Sequence, residues 1–287
     1  MRFGFIRAHR DEFRITSMCR VLRVSRSGFH AWLGRPESER SKRHRRLLVD
    51  TRAVSKRTRQ SYGSPRMHAE LIDLDHKVGR HQVADVMLQN GVRARRKKKF
   101  RVTTDSNHDH PIAPNILDRD FAAAAPNQVW VGDITYLRTK EGWLFLAVLL
   151  DLFSRRVVGW EVSDRINADL VGRALRKAIA LRRPPRGIVV HHDRGRQYAS
   201  KKYRKILKGI GAVASMSRKG DCWDNAVSES FFGSLKSEWV PEDGYETRED
   251  GRTDLFNYIE GFYNRERRHS TINYLNPVAM EATVDVR

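Results

Sequence analysis

The sequence predicts an α/β chain in which a mixed sheet with flanking helices follows small all-helical units. Three observations carry this. Apolar residues recur at helical spacing up to Gly91, a proline- and alanine-bearing stretch at 103–126 interrupts them, and beyond it strand-like and helical runs alternate in the order βββαβαβα.

Between Phe13 and Leu33, the residues Ile15, Met18, Val21, Leu22, Phe29 and Trp32 fall at helical spacing. The break at Val24 to Gly28 offers a cap for a second helix, so the pattern describes a helix-turn-helix unit. Residues 35–60 are rich in Arg and Lys with few large apolar side chains and read as a solvated helix or basic linker, which closes a first domain at 1–60. Ser64 is expected to cap a helix through Met67, Leu71 and Leu74; after a turn at Gly79 a partner helix carries Val83, Val86, Met87 and Leu88. This pair at 61–102 is a second helix-turn-helix or a plain helical hairpin. In the first case Arg80, His81 and Gln82 stand at the start of the recognition helix, where base contacts are made, and Arg95, Arg96, Lys97, Lys98 and Lys99 form a basic arm behind it. Residues 103–126 read as a linker, and 127–287 as the main domain.

In that domain Val129 to Leu137, Trp143 to Leu150 and Val157 to Val162 are strands of an antiparallel meander, the first two joined by a Lys140-Glu141-Gly142 turn. Asn167 caps a helix through Ile179, and a short strand from Ile188 to Val190 ends just before Asp193. A helix from Ser200, a strand from Ala212 to Met216 and a helix from Ala226 to Trp239 follow.

The formal charge of +21 points to a polyanionic partner, with nucleic acid the first choice. Residues 1–120 hold 28 Lys and Arg against 13 acids, the remainder 27 against 21, so the binding surface is expected mainly in the first part. Two cysteines, Cys19 and Cys222, make neither a disulfide framework nor a zinc site, and the absence of a long apolar run leads to the expectation of a soluble, cytoplasmic protein with no membrane contact. Neither a glycine-rich phosphate loop nor a Ser/His/Asp arrangement is present, which leaves ATP use and acyl chemistry without support.

Asp133 sits within an otherwise apolar strand, where an acid is costly unless paired or bound to a cation. Asp193 lies at another strand end, and Glu229 lies on the last helix beside its apolar stripe. Acids from two strands and a helix suit a pair of Mg²⁺ ions, with Mn²⁺ as a substitute, at which phosphoryl transfer needs little further chemistry from the protein. Thirty-five residues separate Asp193 from Glu229, and Lys236 stands two helical turns beyond Glu229, where it can meet a phosphate.

The blocks VWVGDITYL, HHDRGRQY and DCWDNAVSESFFGSLKSEW, in this order, resemble those of insertion-sequence transposases of the OrfB type, whose core is similar to retroviral integrases. MCRVLRVSRSGFHAWL, YGSPRMHAEL and YNRERRHSTINYLNPVAME extend the resemblance over nearly the whole chain. It implies an RNase H-like fold, with Asp133, Asp193 and Glu229 as the catalytic, metal-binding triad and Lys236 at the element's terminal DNA. It also implies work on double-stranded DNA as a homo-multimer, and in many members fusion to an upstream product; no heptad run here matches the coiled coil of such a product. One departure is that small polar residues usually stand where this chain has His192 and Arg196, which puts bulk and charge beside Asp193.

Asn225, one turn before Glu229, is expected to cap the helix, with orientation of the carboxylate as the other reading. Arg265, Arg267, Arg268 and His269 form a late basic cluster that contacts DNA or is a solvated helix end. His191 and His192 point to opposite faces and do not share an ion; packing or phosphate contact is their expected use. Three functions remain open on these residues: a transposase that cleaves and joins, a nuclease that only hydrolyses, and a catalytically silent DNA-binding regulator or assembly subunit.

Overall fold

The computed structural model describes residues 2–95, 111–218 and 222–284, and the chain divides after Asp50 into two compact units. In the first, α1 (Arg2–Ala8), α2 (Ile15–Val21) and α3 (Arg26–Leu33) enclose Ile6, Met18, Cys19 and Phe29. The break between α2 and α3 is a left-handed turn at Arg23, and the Ser25 hydroxyl accepts from the Gly28 amide at 3.0 Å, which caps α3 as expected. Helix α1 was not foreseen, because its charged residues hide a stripe that consists of little more than Phe3 and Ile6. The long basic helix α4 (Glu39–Arg57) carries the division between the units, ten residues earlier than the boundary expected at 60.

The second unit begins with the end of α4 and a helical hairpin, α5 (Ser64–Asp73) and α6 (Arg80–Gln89), whose buried contacts are Met67, Leu71, Val83, Val86 and Met87. Gly63, not Ser64, is the N-cap of α5, so that helix starts with no side-chain cap. The hairpin is not a separate body. Tyr62 accepts from the Arg268 amide at 2.9 Å, Arg66 reaches Glu238 at 2.9 Å, and Glu70 takes the guanidinium of Arg268.

A five-stranded sheet follows, built from β1 (Val129–Thr139), β2 (Gly142–Asp151), β3 (Val157–Ser163), β4 (Val189–His192) and β5 (Val213–Met216), in the order β3-β2-β1-β4-β5. The first three strands are antiparallel, and β4 and β5 run parallel to β1. The parallel crossovers are α7 (Ala168–Arg182) and α8 (Lys201–Gly209), capped by the side chains of Asn167 and Ser200. Their apolar faces cover Trp130, Leu149 and Val190. At Gly159 the approach of α7 is so close that a Cβ would stand 2.5 Å from the Ala174 carbonyl oxygen and 2.7 Å from the Ala178 Cβ. After β5 come α9 (Ala226–Glu238), which packs against β1, then α10 (Arg248–Phe256), a π-helical extension at Asn257–Tyr263, and α11 (Pro277–Ala282).

The described part of the expected linker, from residue 111 on, is not a plain connector. It lines β5: the amides of Ile116 and Leu117 donate to the Ser215 hydroxyl, Met216 donates to the Pro114 carbonyl, and Leu117 is buried. Periodicity missed it because backbone and polar groups hold it.

Gly159→Ala is expected to cost about 1–3 kcal/mol by overpacking the contact of α7 with β3. Denaturant unfolding should show a lower midpoint at an unchanged slope. An unchanged midpoint would mean that α7 has room to retreat.

Candidate active site

The register of β1 against β4 sets the site. Gly132 pairs with His192 across the parallel ladder, so the next residues, Asp133 and Asp193, are brought to the same face. His192 itself turns to the other side, where it stacks on Tyr198 with ring centroids 4.0 Å apart and lies 2.6 Å from the Tyr203 hydroxyl. A Cβ at position 132 would sit 2.7 Å from the His192 ring, so the glycine makes the bulk of this histidine possible. Of the two residues expected to put bulk and charge beside Asp193, His192 is buried in packing and Arg196 is exposed.

Each acid has its own local support. Asp133 is half-buried and accepts the Ile134 amide at 2.7 Å; Asp193 accepts the Gly195 amide at 2.9 Å in the tight turn after β4. Glu229 stands in the first turn of α9, where the helix dipole favours a negative charge. Burial pushes the Asp133 carboxyl well above the usual aspartate range, the negative charges of Asp193 and Glu229 push the same way, and Lys236 opposes them. Burial likewise raises Glu229. Lys236 lies over the Tyr136 ring at 4.9 Å, and burial brings its ammonium down to about 8 against the pull of Asp133. The structure thus brings Asp133, Asp193, Glu229 and Lys236 into one electrostatic neighbourhood.

The two histidines add no charge here. Burial lowers His191 to about 4 and His192 to about 3, so both rings are neutral near pH 7. His191 holds the hydroxyls of Ser215 and Ser217, at 2.8 and 3.2 Å. Packing, not phosphate contact, is their use.

Two residues went unnoticed in the sequence. Tyr198, the last residue of the HHDRGRQY block, is fully buried beside both aspartates, and its hydroxyl has no hydrogen-bond partner. Asp224 anchors the 3₁₀ turn before α9. Burial raises its carboxyl, but hydrogen bonds from Arg218 and Arg119 overcome this and hold it at about 2. Asn115 donates to the same carboxylate at 3.0 Å, so the supposed linker fixes the start of the helix that carries Glu229. An acid in the DCWDN run was the signal available for Asp224. Asn225 occupies the N-cap position of α9 but makes no cap hydrogen bond; its Oδ1 is a buried acceptor without a partner, which removes the cap reading.

The other expected contacts divide. Arg80, His81 and Gln82 are exposed in the first turn of α6, and Arg95 is exposed after it; Arg96, Lys97, Lys98 and Lys99 lie outside the described residues. Arg268 and His269 are not available to DNA as they stand. Arg268 binds Glu70 and Asp73, and His269 is buried between Arg267 and Tyr263 and held well below its ordinary value by burial and by the neighbouring arginines. Arg267 is buried too, closed on Glu238 at 2.6 and 2.7 Å. Only Arg265 of that cluster is exposed.

Among the described residues no three His, Cys, Asp or Glu side chains are gathered tightly enough to enclose one ion as they stand. The residues nonetheless fit a divalent cation. Their donors are carboxylate oxygens, the repulsion at Asp133 is only partly offset by Lys236, and buried oxygens of Tyr198 and Asn225 await partners.

Because the fold binds the Asp133 proton more tightly than the unfolded chain does, stability falls as pH rises from the ordinary aspartate range through the raised value. Asp133→Asn removes that loss. Without divalent ions it should be about 1–3 kcal/mol more stable than wild type at about pH 7.5, with the two converging below about pH 4. Melting curves that coincide at both pH values would contradict this.

Residues 123–222 and 211–277 match the integrase core domain family, and residues 42–100 match the HTH-like domain family. The chain is 44% identical over 283 residues to the transposase InsF for insertion sequence IS3A of Escherichia coli K12, which covers 98% of both chains. It is 43% identical over 262 residues to an uncharacterized 31 kDa protein of insertion element IS600 from Shigella sonnei, covering 91% of this chain and 96% of that one. Among solved structures it is similar to the HTLV-2 integrase catalytic core domain in complex with magnesium, at 16% identity and a TM-score of 0.41, over 56% of this chain and 99% of that one. A simian T-cell lymphotropic virus intasome matches at 17% identity and a TM-score of 0.45, over 80% and 74%. None of the helices among the described residues is long and apolar enough to cross a membrane. With a five-stranded mixed sheet in the segment matched to the integrase core, an HTH-like segment and relatives matched from end to end, the chain belongs to the insertion-sequence transposases with an integrase core.

Proposed function

We propose that Asp133, Asp193 and Glu229 are the catalytic carboxylates with which this chain cuts the ends of an insertion sequence and joins the freed strands to a target. As a member of its family the chain is a DNA transposase, a DDE-type polynucleotidyl transferase. One observation supports the residue assignment above all: Asp193 and Glu229, remote in sequence, both press on Asp133 from a parallel strand's end and a helix, and Lys236 is a cation that opposes them there. The chemistry has two steps at one centre. A water attacks the phosphodiester at the element's end, and the 3′-hydroxyl so released attacks a phosphodiester of the target, in line with its leaving oxygen.

Two Mg²⁺ ions, or Mn²⁺ in their place, would be held by the three carboxylates and would supply charge neutralisation at the attacking and leaving oxygens. The chain's own groups supply the rest. Lys236, fixed over Tyr136, holds a non-bridging phosphate oxygen beside Asp133. The amides of Ile134 and Gly195 keep the two aspartates from turning away. Asn225, with its unpartnered Oδ1, orients groups around Glu229 one turn further on. Arg80, His81, Gln82 and Arg95, with the arm at 96–99, contact double-stranded DNA outside the centre. Cutting two ends requires more than one such centre, so the protein works as a homo-multimer on DNA.

Labelled duplexes bearing the ends of the flanking element, incubated with the protein and Mg²⁺ or Mn²⁺, test this. Joined strands are expected, and Asp193→Asn should reduce them by roughly a thousandfold or more, about 4 kcal/mol of barrier, while duplex binding is kept. Nicks without joining would replace the assignment with a hydrolytic nuclease. Products that survive Asp193→Asn would remove the carboxylates from the chemistry.

A further inference from the structure

The start of α6 and the basic arm are among the DNA contacts that the sequence predicts. The structure shows a different concentration of anion-binding groups, where the end of α4 crosses the strand of chain after α6. The crossing is tied by the Arg95 amide, which donates to the Gln60 carbonyl at 2.8 Å. Two cavities open beside it, of about 450 and 320 Å³, and Arg95 lines both.

The larger cavity is lined by Arg52, Lys56, Arg59, Arg93 and Arg95, and none of its described lining residues is acidic. Arg59 is preset: its guanidinium lies 3.6 Å over the Trp239 ring and reaches Asp254 at 3.1 Å. Among the described residues, Arg52, Lys56, Arg93 and Arg95 make no ion pair with an acid. The backbone here is also unusual, with Arg59 and Gln60 consecutive in the left-handed region at φ 50° and 59°.

The smaller cavity lies at the start of α5 and is lined by Ser61, Gly63, Arg66, Arg95, Glu238 and Ser270, among others. Gly63 caps that ten-residue helix without a side chain, which leaves the Ser64 and Arg66 amides outside the helical ladder at the positive end of the dipole. An independent observation points to a ligand: Ser61 lines this cavity and is 8% exposed, and its hydroxyl, buried as it stands, has no partner, so that rotation about its Cα–Cβ bond would offer an unsatisfied donor. Glu238 does not repel an anion here, because Arg66 and Arg267 both close on it.

We propose that the two cavities form one track for consecutive phosphates of a DNA strand, with Arg95 reaching both. One phosphate sits among the guanidinium groups of the larger cavity; its neighbour receives the Ser61 hydroxyl and the open amides of α5. An unbranched polyanion with regularly spaced charges suits two adjoining sites that share one cation, as a single small anion does not. The inference rests on the reading of the chain as a DNA transposase and adds to it the groups that hold the strand.

The test is duplex binding by the full chain across a salt series, read by fluorescence anisotropy. Arg52→Gln and Arg93→Gln should each lower the slope of log K against log salt by about one, and Arg95→Gln should weaken binding about tenfold. Ser61→Val, which keeps volume and removes the hydroxyl, should weaken binding several-fold with the slope unchanged. The three arginines are exposed, so their variants fold whether or not Ser61→Val does. Slopes equal to wild type in all three arginine variants would overturn the track. Displacement of DNA by inorganic phosphate that Arg95→Gln weakens, with the DNA slope unmoved, would reassign the site to a free anion and also overturn it. Joined strands in the cleavage assay with unmoved slopes would sink the track alone; reduced slopes without any joined strands would leave the track and sink the proposed function.

Discussion

Carboxylate repulsion held in place is the constraint on which the rest of this molecule depends. Asp133 and Asp193 stand side by side because each follows one member of the Gly132–His192 pair on neighbouring parallel strands, and both then face α9 with Glu229. Left to itself such a cluster would spread or protonate. The ladder prevents the first, since a one-residue slip of β4 against β1 would turn one aspartate to the face packed by α7 and α8 and part it from the other. His192, buried between Tyr198 and Tyr203 and allowed by the missing side chain at Gly132, acts as a peg that fixes the register.

The third carboxylate needs a helix that cannot drift, and α9 is fastened at both ends. Before its first turn, Asp224 gathers Asn115, Arg119 and Arg218. At its last residue, Glu238 is closed between Arg66 of the hairpin and Arg267 of the C-terminal segment. A buried ion pair of this kind adds little net stability over an apolar pair but tolerates the loss of neither partner. Its effect is positional.

The strands, their caps and the acids at their ends were legible because they depend on local pattern: Asn167 and Ser200 cap as their spacing implied, and Asp193 lies one residue past β4. Contacts between distant segments were not. Arg268 and His269 read as DNA contacts because their partners, Glu70, Asp73 and Tyr263, include residues nearly two hundred positions away. The segment from 111 reads as a linker because it is held by amides and polar side chains, which leave no apolar period. Asn225 shows the opposite error: a good capping residue in a capping position that does not cap, its oxygen turned elsewhere.

The fastening of α9 also bears on how such enzymes diversify. Glu229 and Glu238 are nine positions apart on one helix, about 14 Å, and the second is held by the hairpin. Exchanging that hairpin for a relative's would therefore also exchange the clamp on the helix that carries Glu229. Tyr62, Arg66 and Glu70 would have to be inherited together with Arg267, Arg268 and Glu238. The hairpin and the integrase core in this lineage are thus expected to evolve as one linked block rather than as interchangeable modules.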